Sequence, residues 1–510
     1  MEEYSKVNAN DYAQMPICDR VLSTELSGDM TLPDYQPEIK RLLKISASVL
    51  PPSKYIGDSQ AEFAGNIDYY VFYTGSDNEI YCAPLTGEYK IEVPIEQDAA
   101  KGVSNLTGSI DIVPDMISGR VISPRKLNVK CRLKSQARIF GEAYTGRGVD
   151  DGDNEVLCGV APITRTLFGA ADMHRLSDEM IIDQRDGEVR VISASGRALI
   201  CEISCADGVV NCRGDVYLKM LMTRESGGQP YTTQRKLPFS QVVNVEGAEG
   251  RCQATAKATV CEMNIEVEDN RILIDVGLIT DVTVRKSERV RYVKDVYSTV
   301  YKTECQYKPM KLYTKGTSFN TNFTFSDSES LEDAGIATEC HVLDSSGIAT
   351  LDSVGFDDNG RMTINGKIKF TLLMDKNGEY LCSDVEMPFK YSAEVGVQGE
   401  NIINTICPTV ISSRARIDGE RVGIDAEISL CGGFAETMEI SMLDGVSFGD
   451  EITRSNGELV LCYPSASDSL WSVAKRYGAA VSELVKNNRI SNDTPYDAKE
   501  SLEGINYLFV

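Results

Sequence analysis

The chain has 510 residues, of which 42% are hydrophobic and 25% charged, and its formal net charge at pH 7 is −24. A chain of this length is too long for one hydrophobic core and corresponds to several domains of roughly 100–150 residues each. The excess of acidic residues argues against nucleic acid and anionic lipid as partners, because both require clustered Lys and Arg. No stretch approaches the ~20 apolar residues of a transmembrane segment.

The N-terminus, from Met1 to Ser5, is acidic and lacks a basic stretch followed by an apolar core, so no secretory signal is expected. We therefore expect the protein to be cytoplasmic. Its 15 cysteines are scattered without a C-x-x-C pair. In a cytosol they should be reduced, and most should serve as small buried apolar residues.

A proline-containing motif, LPDYQPEIKRLLKI, extends from Leu32 to Ile45. Its two prolines indicate a turn, and Pro37 is suited to the first position of a short helix. That helix would bury Ile39, Leu42 and Leu43.

Three related segments follow one another along the chain. In each, a glycine opens a strand-like run, and a second strand-like run follows at nearly the same offset. Apolar residues alternate along these runs, which is typical of antiparallel strands with one buried face and one solvated face. The sequence therefore predicts a mainly β protein with three tandem antiparallel β-sandwich-like domains. The first set of runs is Gly65–Val71, Gly214–Met220 and Gly366–Leu372, and the second set is Lys126–Arg132, Arg271–Val276 and Arg421–Ala426.

The expected domain limits are residues 1–150, 151–305 and 306–450, followed by a C-terminal domain over residues 457–510. Polar, glycine-containing linkers are expected near Arg147–Asp153, Tyr301–Lys315 and Gly449–Gly457. Exposed edge strands of such domains would also permit self-association.

The sequence offers no catalytic or metal-binding constellation. His174 and His341 are the only histidines, and neither has a second histidine at metal-ligand spacing. No glycine-rich phosphate loop is present. The acidic clusters Asp150–Asp153 and Asp357–Gly360 lack the later Glu of a calcium loop, which favours solvated turns. We therefore expect a non-enzymatic protein without a metal or another cofactor.

The C-terminal tail predicts the order strand, helix, helix, strand. Leu459–Tyr463 is a short run of β-forming residues. Apolar residues at 470, 473, 474 and 477 then follow helical spacing, with Asp468 or Ser467 as N-cap and Gly478 as the C-terminal stop. A second helix is expected over Ser482–Asn487, and Tyr507–Val510 should pair with the first strand.

The tail resembles the LysM family through Asp468–Trp471, Tyr477–Gly478 and the strand after Gly504. This resemblance implies a small α/β domain that binds N-acetylglucosamine glycans through two loops. Two departures affect those loops. Ala466–Ser467 replaces the usual Pro-Gly pair, and Glu503–Ile505 replaces Pro-Gly-Gln, so a protein partner is an alternative to glycan.

Partner- or glycan-binding residues are expected in both loops. Trp471, the only tryptophan, lies one position outside the buried helical stripe, and exposed tryptophans often anchor interfaces. The alternative is that it packs within the domain core. For the second-loop residues the alternative is helix capping and turn formation. The candidates are Ser467, Asp468, Ser469 and Trp471 in the first loop, and Asn487, Asn488 and Ile490 in the second.

The Leu32–Ile45 motif resembles the opening of the SPOCS domain of spore-coat proteins, whereas the second and third copies resemble it only through their strand pattern. Together with LysM, this resembles a family of clostridial spore-coat morphogenetic proteins. That resemblance implies a coat-assembly adaptor in the mother-cell cytoplasm, at the outer forespore membrane. Its LysM domain would dock a coat-scaffolding morphogenetic ATPase, with other coat proteins as further partners. The alternative is a peptidoglycan-binding protein of the cell wall or spore cortex.

Overall fold

The computed structural model describes residues 12–145, 153–182, 188–224, 228–268, 270–397, 402–452, 460–490 and 495–510. Antiparallel strands dominate, and helices longer than one turn occur, among these residues, only near the C-terminus. The mainly β prediction is confirmed. Three β-units follow one another and precede a small βααβ unit.

The first β-unit consists of two antiparallel sheets. One sheet has the order β1–β7–β6, and in the other β2, β3 and β5 all pair with β4. A one-turn helix, α1 (Gln97–Ala100), connects the sheets. The strands are β1 (Tyr12–Thr31), β2 (Arg41–Val49), β3 (Ser53–Ile56), β4 (Gln60–Thr74), β5 (Ile80–Pro94), β6 (Val103–Ser123) and β7 (Lys126–Tyr144).

The second β-unit repeats this arrangement. The sheet β10–β11–β12 corresponds to β2–β4–β5, and the long strand β14 pairs with β13, β8 and β9. Strands β8 and β9 together correspond to β1. The strands are β8 (Asn154–Ala170), β9 (His174–Ile181), β10 (Val189–Ala206), β11 (Val209–Arg224), β12 (Tyr231–Asn244), β13 (Gln253–Glu268) and β14 (Arg271–Ser298).

The third β-unit has the same strand order again. One sheet is β16–β17–β18, and in the other β21 pairs with β15, β19 and β20. The strands are β15 (Tyr301–Ser330), β16 (His341–Phe356), β17 (Arg361–Lys376), β18 (Glu379–Glu394), β19 (Ile402–Asn404), β20 (Cys407–Asp418) and β21 (Arg421–Glu451).

Each β-unit has its own hydrophobic core, to which alternate residues of the long last strand contribute. In β7 these are Leu127, Val129, Cys131 and Leu133, all of them buried. The predicted runs that begin at Lys126, Arg271 and Arg421 form the start of these last strands. The alternation of apolar residues predicted from the sequence therefore determines which face of each sheet packs against the core.

Equivalent residues of the three β-units meet in one apolar junction. In β2, β10 and β16 a β-bulge occurs at the same place and turns one apolar side chain towards this junction. The neighbouring central strand adds a second apolar residue in each unit. The six residues are Leu43, Ile192 and Leu343 at the bulges, and Phe72, Leu221 and Leu373 on the central strands. The β-units are therefore arranged around a common axis.

A buried ion cluster lies beside this junction, with one residue from each β-unit. Lys44 Nζ is 3.1 Å from Asp344 Oδ2, and Lys219 Nζ is 2.6 Å from Asp344 Oδ1. Burial alone would raise the pKa of Asp344, but the charges of the two lysines overcome this effect and lower it. The cluster therefore holds Asp344 ionised where the three units meet.

A second apolar junction joins the three β-units elsewhere along their long strands. Ala13 and Ala143 of the first unit contact residues of the other two units there. The other buried members are Ala161, Ile163 and Val290 of the second unit and Met310, Leu312, Ile440 and Met442 of the third.

The C-terminal unit begins with β22 (Leu461–Cys462), followed by α2 (Leu470–Tyr477) and α3 (Val481–Asn488). A 3₁₀ helix (Lys499–Leu502) precedes β23 (Leu508–Phe509), which pairs with β22. The predicted order of strand, helix, helix and strand is confirmed, but the predicted N-cap is wrong. Ser469 caps α2 in a capping box with Ser472, because the Asp468 carboxylate is bonded elsewhere.

The short helix predicted after Pro37 is absent. Residues 32–40 form a turn and extended backbone that leads into β2. Within the segment, the Gln36 N–H donates to Pro33 O at 3.0 Å and closes the turn, while other backbone groups bond to distant segments. Arg125 donates to the carbonyl oxygens of Pro33 and Gln36 at 2.7 and 3.1 Å, and Ile39 N–H donates to Pro124 O at 2.7 Å. The turn and these longer-range bonds take the place of the hydrogen bonds of a helix.

The stretch Tyr301–Lys315, predicted as a linker, lies in β15 and pairs with β21 from Tyr301 onwards. The predicted limit between residues 305 and 306 thus falls within a strand, because the two units are joined by a tight turn at 299–300. The other two predicted linkers lie largely outside the described residues, which do not include 147–152 or 453–457. The domain limits themselves remain predictions.

Candidate functional site

Trp471 of the C-terminal unit is buried against the second β-unit. Its Nε1 donates a hydrogen bond to Asp295 Oδ2 at 2.8 Å, and its ring packs edge-on against Tyr297 with a centroid distance of 4.9 Å. Only 6% of the residue is exposed. Of the two alternatives for the indole, it is buried rather than exposed, because the helix position outside the domain's own apolar stripe faces β14.

Asp295 accepts hydrogen bonds from three side chains at this contact. Besides Trp471, Lys475 Nζ lies 2.6 and 2.8 Å from its two oxygens, and the Tyr307 hydroxyl donates at 2.6 Å. Burial alone would raise the pKa of Asp295, but the bonds from Lys475, Trp471 and Tyr307 lower it. A charged carboxylate thus bridges the second and third β-units and the C-terminal unit.

Further contacts extend this interface along the end of β14. The Tyr297 hydroxyl donates to Ala479 O at 2.7 Å, in the turn between α2 and α3. Lys294 forms an ion pair with Asp497, and Leu157 of β8 packs on the same apolar cluster. Burial raises the pKa of Glu155, whose carboxyl accepts a bond from the Val481 N–H. The C-terminal unit is therefore held on the second β-unit by apolar, polar and ionic contacts.

In the first loop, the side chains of Asp468 and Ser469 are used within the fold. Asp468 Oδ2 accepts from the Ser465 N–H at 2.9 Å, and the hydrogen bond from Arg476 lowers the pKa of Asp468 to about 2. Ser469 Oγ accepts from the Ser472 N–H at 3.2 Å. Ser467 is exposed, and its hydroxyl lies 3.0 Å from that of Ser465. Of these loop residues, Ser467 is the one on the surface.

In the second loop, Asn488 joins α3 to the terminal strand. Its Nδ2 donates to Leu484 O and Phe509 O at 2.9 and 2.8 Å, and its Oδ1 accepts from the Phe509 N–H at 2.7 Å. Ile490 is half-buried and its N–H donates to Val485 O at 3.1 Å, which closes the helix. Asn487 is exposed. The candidate residues therefore divide into internal ones and a small exposed set.

The sequence interpretation missed an exposed apolar face on the two-stranded sheet of this unit. Cys462 and Leu508 point inwards, so the residues on either side of them point outwards. The outward residues, which we call the tail sheet face, are Leu461, Tyr463, Tyr507 and Phe509, with exposures of 40, 70, 50 and 36%. The period-2 alternation in Leu461–Tyr463 and Tyr507–Phe509 was the signal that could have revealed it.

The described residues contain no cluster of three metal-ligating side chains and no helix long and apolar enough to cross a membrane. Asp357 Oδ1 accepts from the N–H groups of Asn359 and Arg361 at 3.0 and 2.9 Å, as in a turn. Asp150 to Gly152 lie outside the described residues. The cysteines are free thiols, and among them Cys201 is exposed.

A family model for the SPOCS domain of SipL matches residues 189–268, and a LysM model matches residues 466–496. No curated protein and no solved structure matches the chain. The SPOCS match covers β10 to β13 of the second β-unit, whereas the sequence motif had pointed to the first. The LysM match covers the first loop, α2 and α3. The chain therefore carries a SipL-type SPOCS domain and a LysM domain, the combination expected of a sporulation-related protein.

Proposed function

We propose that this protein is a non-enzymatic adaptor in spore-coat assembly. In this proposal the three β-units form a platform, and the LysM domain docks a coat-scaffolding morphogenetic ATPase at the forespore surface in the mother cell. Both matched families are non-catalytic binding domains, which supports an adaptor rather than an enzyme. Other coat proteins would bind the β-units.

The observation that carries the proposal is the tail sheet face. Clustered exposed apolar and aromatic residues are typical of protein-binding surfaces, because their burial provides most of the binding free energy. Tyr463 and Tyr507 are the most exposed of the four residues. Trp471 and Asp295 fix α2 of the domain on the second β-unit, while the tail sheet face remains exposed.

The LysM loops offer few free side chains for a sugar. Asp468, Ser469 and Asn488 already bond within the domain, and Trp471 is buried against β14. Glycan recognition through these side chains would require breaking such bonds, each worth about 0.5–1.5 kcal/mol. Binding of peptidoglycan in the cell wall or spore cortex remains the second candidate function, because residues 466–496 match the LysM family.

The experiment that separates the two functions is a pull-down of the tagged full chain from sporulating cells, in parallel with sedimentation on purified peptidoglycan. The adaptor function predicts recovery of the coat-scaffolding ATPase and no sedimentation with peptidoglycan. Strong binding to peptidoglycan in the absence of coat proteins would contradict it.

A further inference from the structure

The three β-units surround a cavity of about 380 Å³. Residues 47–52 and 109–114 line it from the first unit, and residues 196–200 and 255–260 from the second. The third unit contributes residues 405, 407–411 and 429. A volume of this size lies in the range of pockets that bind small molecules.

Cationic side chains outnumber carboxylates around this cavity. Two carboxylates line it, Asp111 and Asp281. The cations that line it are Lys54, Arg138, Arg197, Lys257 and Arg285. The excess is notable because the whole chain carries a formal net charge of −24. Lys54, Arg197 and Lys257 are exposed where they line the cavity, whereas Arg138 and Arg285 are buried in its wall. A cluster of cations in an otherwise acidic protein favours an anionic ligand at this place.

The two carboxylates compensate the five cations only in part. Burial raises the pKa of Asp281, and the charges of Lys257 and Lys54 act against this effect. Arg138 Nη2 bonds to Asp111 Oδ2 at 3.0 Å, while Lys257 Nζ reaches only 4.0 Å from the other oxygen of that carboxylate. In the part of the chain that the structure describes, Arg197 has neither a hydrogen bond nor an ion pair. The buried Nε of Arg138 also lacks a hydrogen-bond partner.

Arg285 is buried in the cavity wall, with a relative exposure of 7%. Its hydrogen bonds go to neutral hydroxyl groups alone. Its guanidinium lies 3.4, 3.1 and 3.2 Å from the hydroxyl oxygens of Thr255, Ser318 and Thr405. Burial, followed by the nearby charge of Arg138, lowers the pKa of Arg285 to about 10. A buried cation without a counter-charge is unfavourable, and a bound anion would relieve this cost.

We propose that this cavity binds a small multivalent anion through phosphate or carboxylate oxygens, with Arg197, Lys257 and Arg285 as its cationic contacts. Planar guanidinium groups suit both kinds of oxygen, because they bind them in bidentate fashion. All three cations belong to the second β-unit, and the first and third units complete the cavity wall around them. A ligand that binds only the folded chain stabilises it by RT ln(1 + [L]/Kd), so the melting temperature should rise with the concentration of free anion.

Calorimetric titration of the full chain with inorganic phosphate, pyrophosphate and citrate, at constant ionic strength, tests the proposal. The expected result is saturable binding of at least one of these anions and a matching rise in melting temperature. The phosphate and citrate arms show which oxygen chemistry is preferred. The absence of saturable binding in all three titrations would overturn the proposal.

Arg197→Gln and Lys257→Gln are the informative variants, because neither side chain has a short bond whose loss would unfold the chain. Each should weaken anion binding about tenfold, the effect of one charge-assisted contact. Arg289→Gln is the matched control, since Arg289 is exposed and does not line the cavity. Without anion, Arg197→Gln should melt no lower than the parent. A lower melting temperature with unchanged anion binding, or equal weakening by Arg289→Gln, would contradict the proposal.

Discussion

The indole N–H of Trp471 donates to the carboxylate of Asp295 at 2.8 Å across 176 residues of sequence. This bond fixes α2, which carries the candidate binding residue Trp471, onto another part of the same chain. The most conspicuous candidate binding residue of the LysM domain is therefore an internal anchor. The outward surface of the domain is instead its two-stranded sheet.

The first prediction concerns this anchor. Trp471→Phe keeps a ring against Tyr297 but removes the hydrogen bond to the buried charge of Asp295, and should cost about 1.5–3 kcal/mol of docking stability. Trp471→Ala also removes the ring and should cost about 3–5 kcal/mol. Limited proteolysis of the tail, with circular dichroism as a control for the β-units, measures the effect. If the tail of both variants resisted proteolysis as well as the tail of the parent, the anchoring role of Trp471 would be contradicted.

The second prediction is a pH dependence of docking. The pKa of Asp295 is lowered in the folded state, so its contribution is fully present above the ordinary aspartate pKa of 3.8. It is lost as the pH falls through the lowered value. Because Trp471 is the only tryptophan, its fluorescence reports docking directly. We expect emission that is constant above pH ~4 and shifts to the red at lower pH.

Asp295→Asn is the control for that titration. The neutral amide loses the ion pair with Lys475, so the variant should show red-shifted emission already at neutral pH and little further change between pH 4 and 3. An acid transition identical to that of the parent would show that another group controls docking. Far-UV circular dichroism separates undocking from unfolding of the β-units.

The third prediction concerns the ion cluster of Lys44, Lys219 and Asp344. Asp344→Leu leaves two buried ammonium groups without their counter-charge and should destabilise the chain by about 3–5 kcal/mol. Adding Lys44→Met and Lys219→Met removes those charges and should restore most of the lost stability. Urea denaturation of both variants measures it. If the triple variant did not regain the lost stability, the role of the ion cluster would be geometric rather than electrostatic.

The repeated β-units could be predicted from the sequence because their strands bury alternate residues. Leu127, Val129 and Cys131 follow such a pattern, and it depends only on neighbours along one strand. The order of elements in the LysM domain could be predicted from helical spacing for the same reason. These features depend on residues that are close together in the sequence, so a single sequence is enough to predict them.

Two of the missed features depend on partners that are distant in the sequence. The Pro33–Ile39 segment forms a turn and extended backbone rather than a helix because Arg125 and Pro124 bind its backbone, and no local pattern shows this. Trp471 is buried because Asp295 and Tyr297 face it. Ser469 rather than Asp468 caps α2, and both are good capping residues. The choice depends on Arg476 binding Asp468.

The fourth prediction concerns removal of residues 457–510. The three β-units have separate cores, so the truncated chain should keep its β-type circular dichroism and lose capture of the coat scaffold. It should melt below the parent, because Tyr297 and Leu157 lose their cover. A collapsed β-type signal would contradict the independence of the β-units from the LysM domain.

The most direct test of the adaptor function is the affinity of the full chain for the coat-scaffolding ATPase, measured for the parent and for a Tyr463→Ser, Tyr507→Ser variant. Tyr55→Ser is the matched control, since Tyr55 is 69% exposed on the first β-unit. We predict saturable binding that the double variant weakens at least about tenfold and the control leaves unchanged. Unaltered scaffold binding by the double variant, or tight peptidoglycan binding without any scaffold binding, would contradict the account.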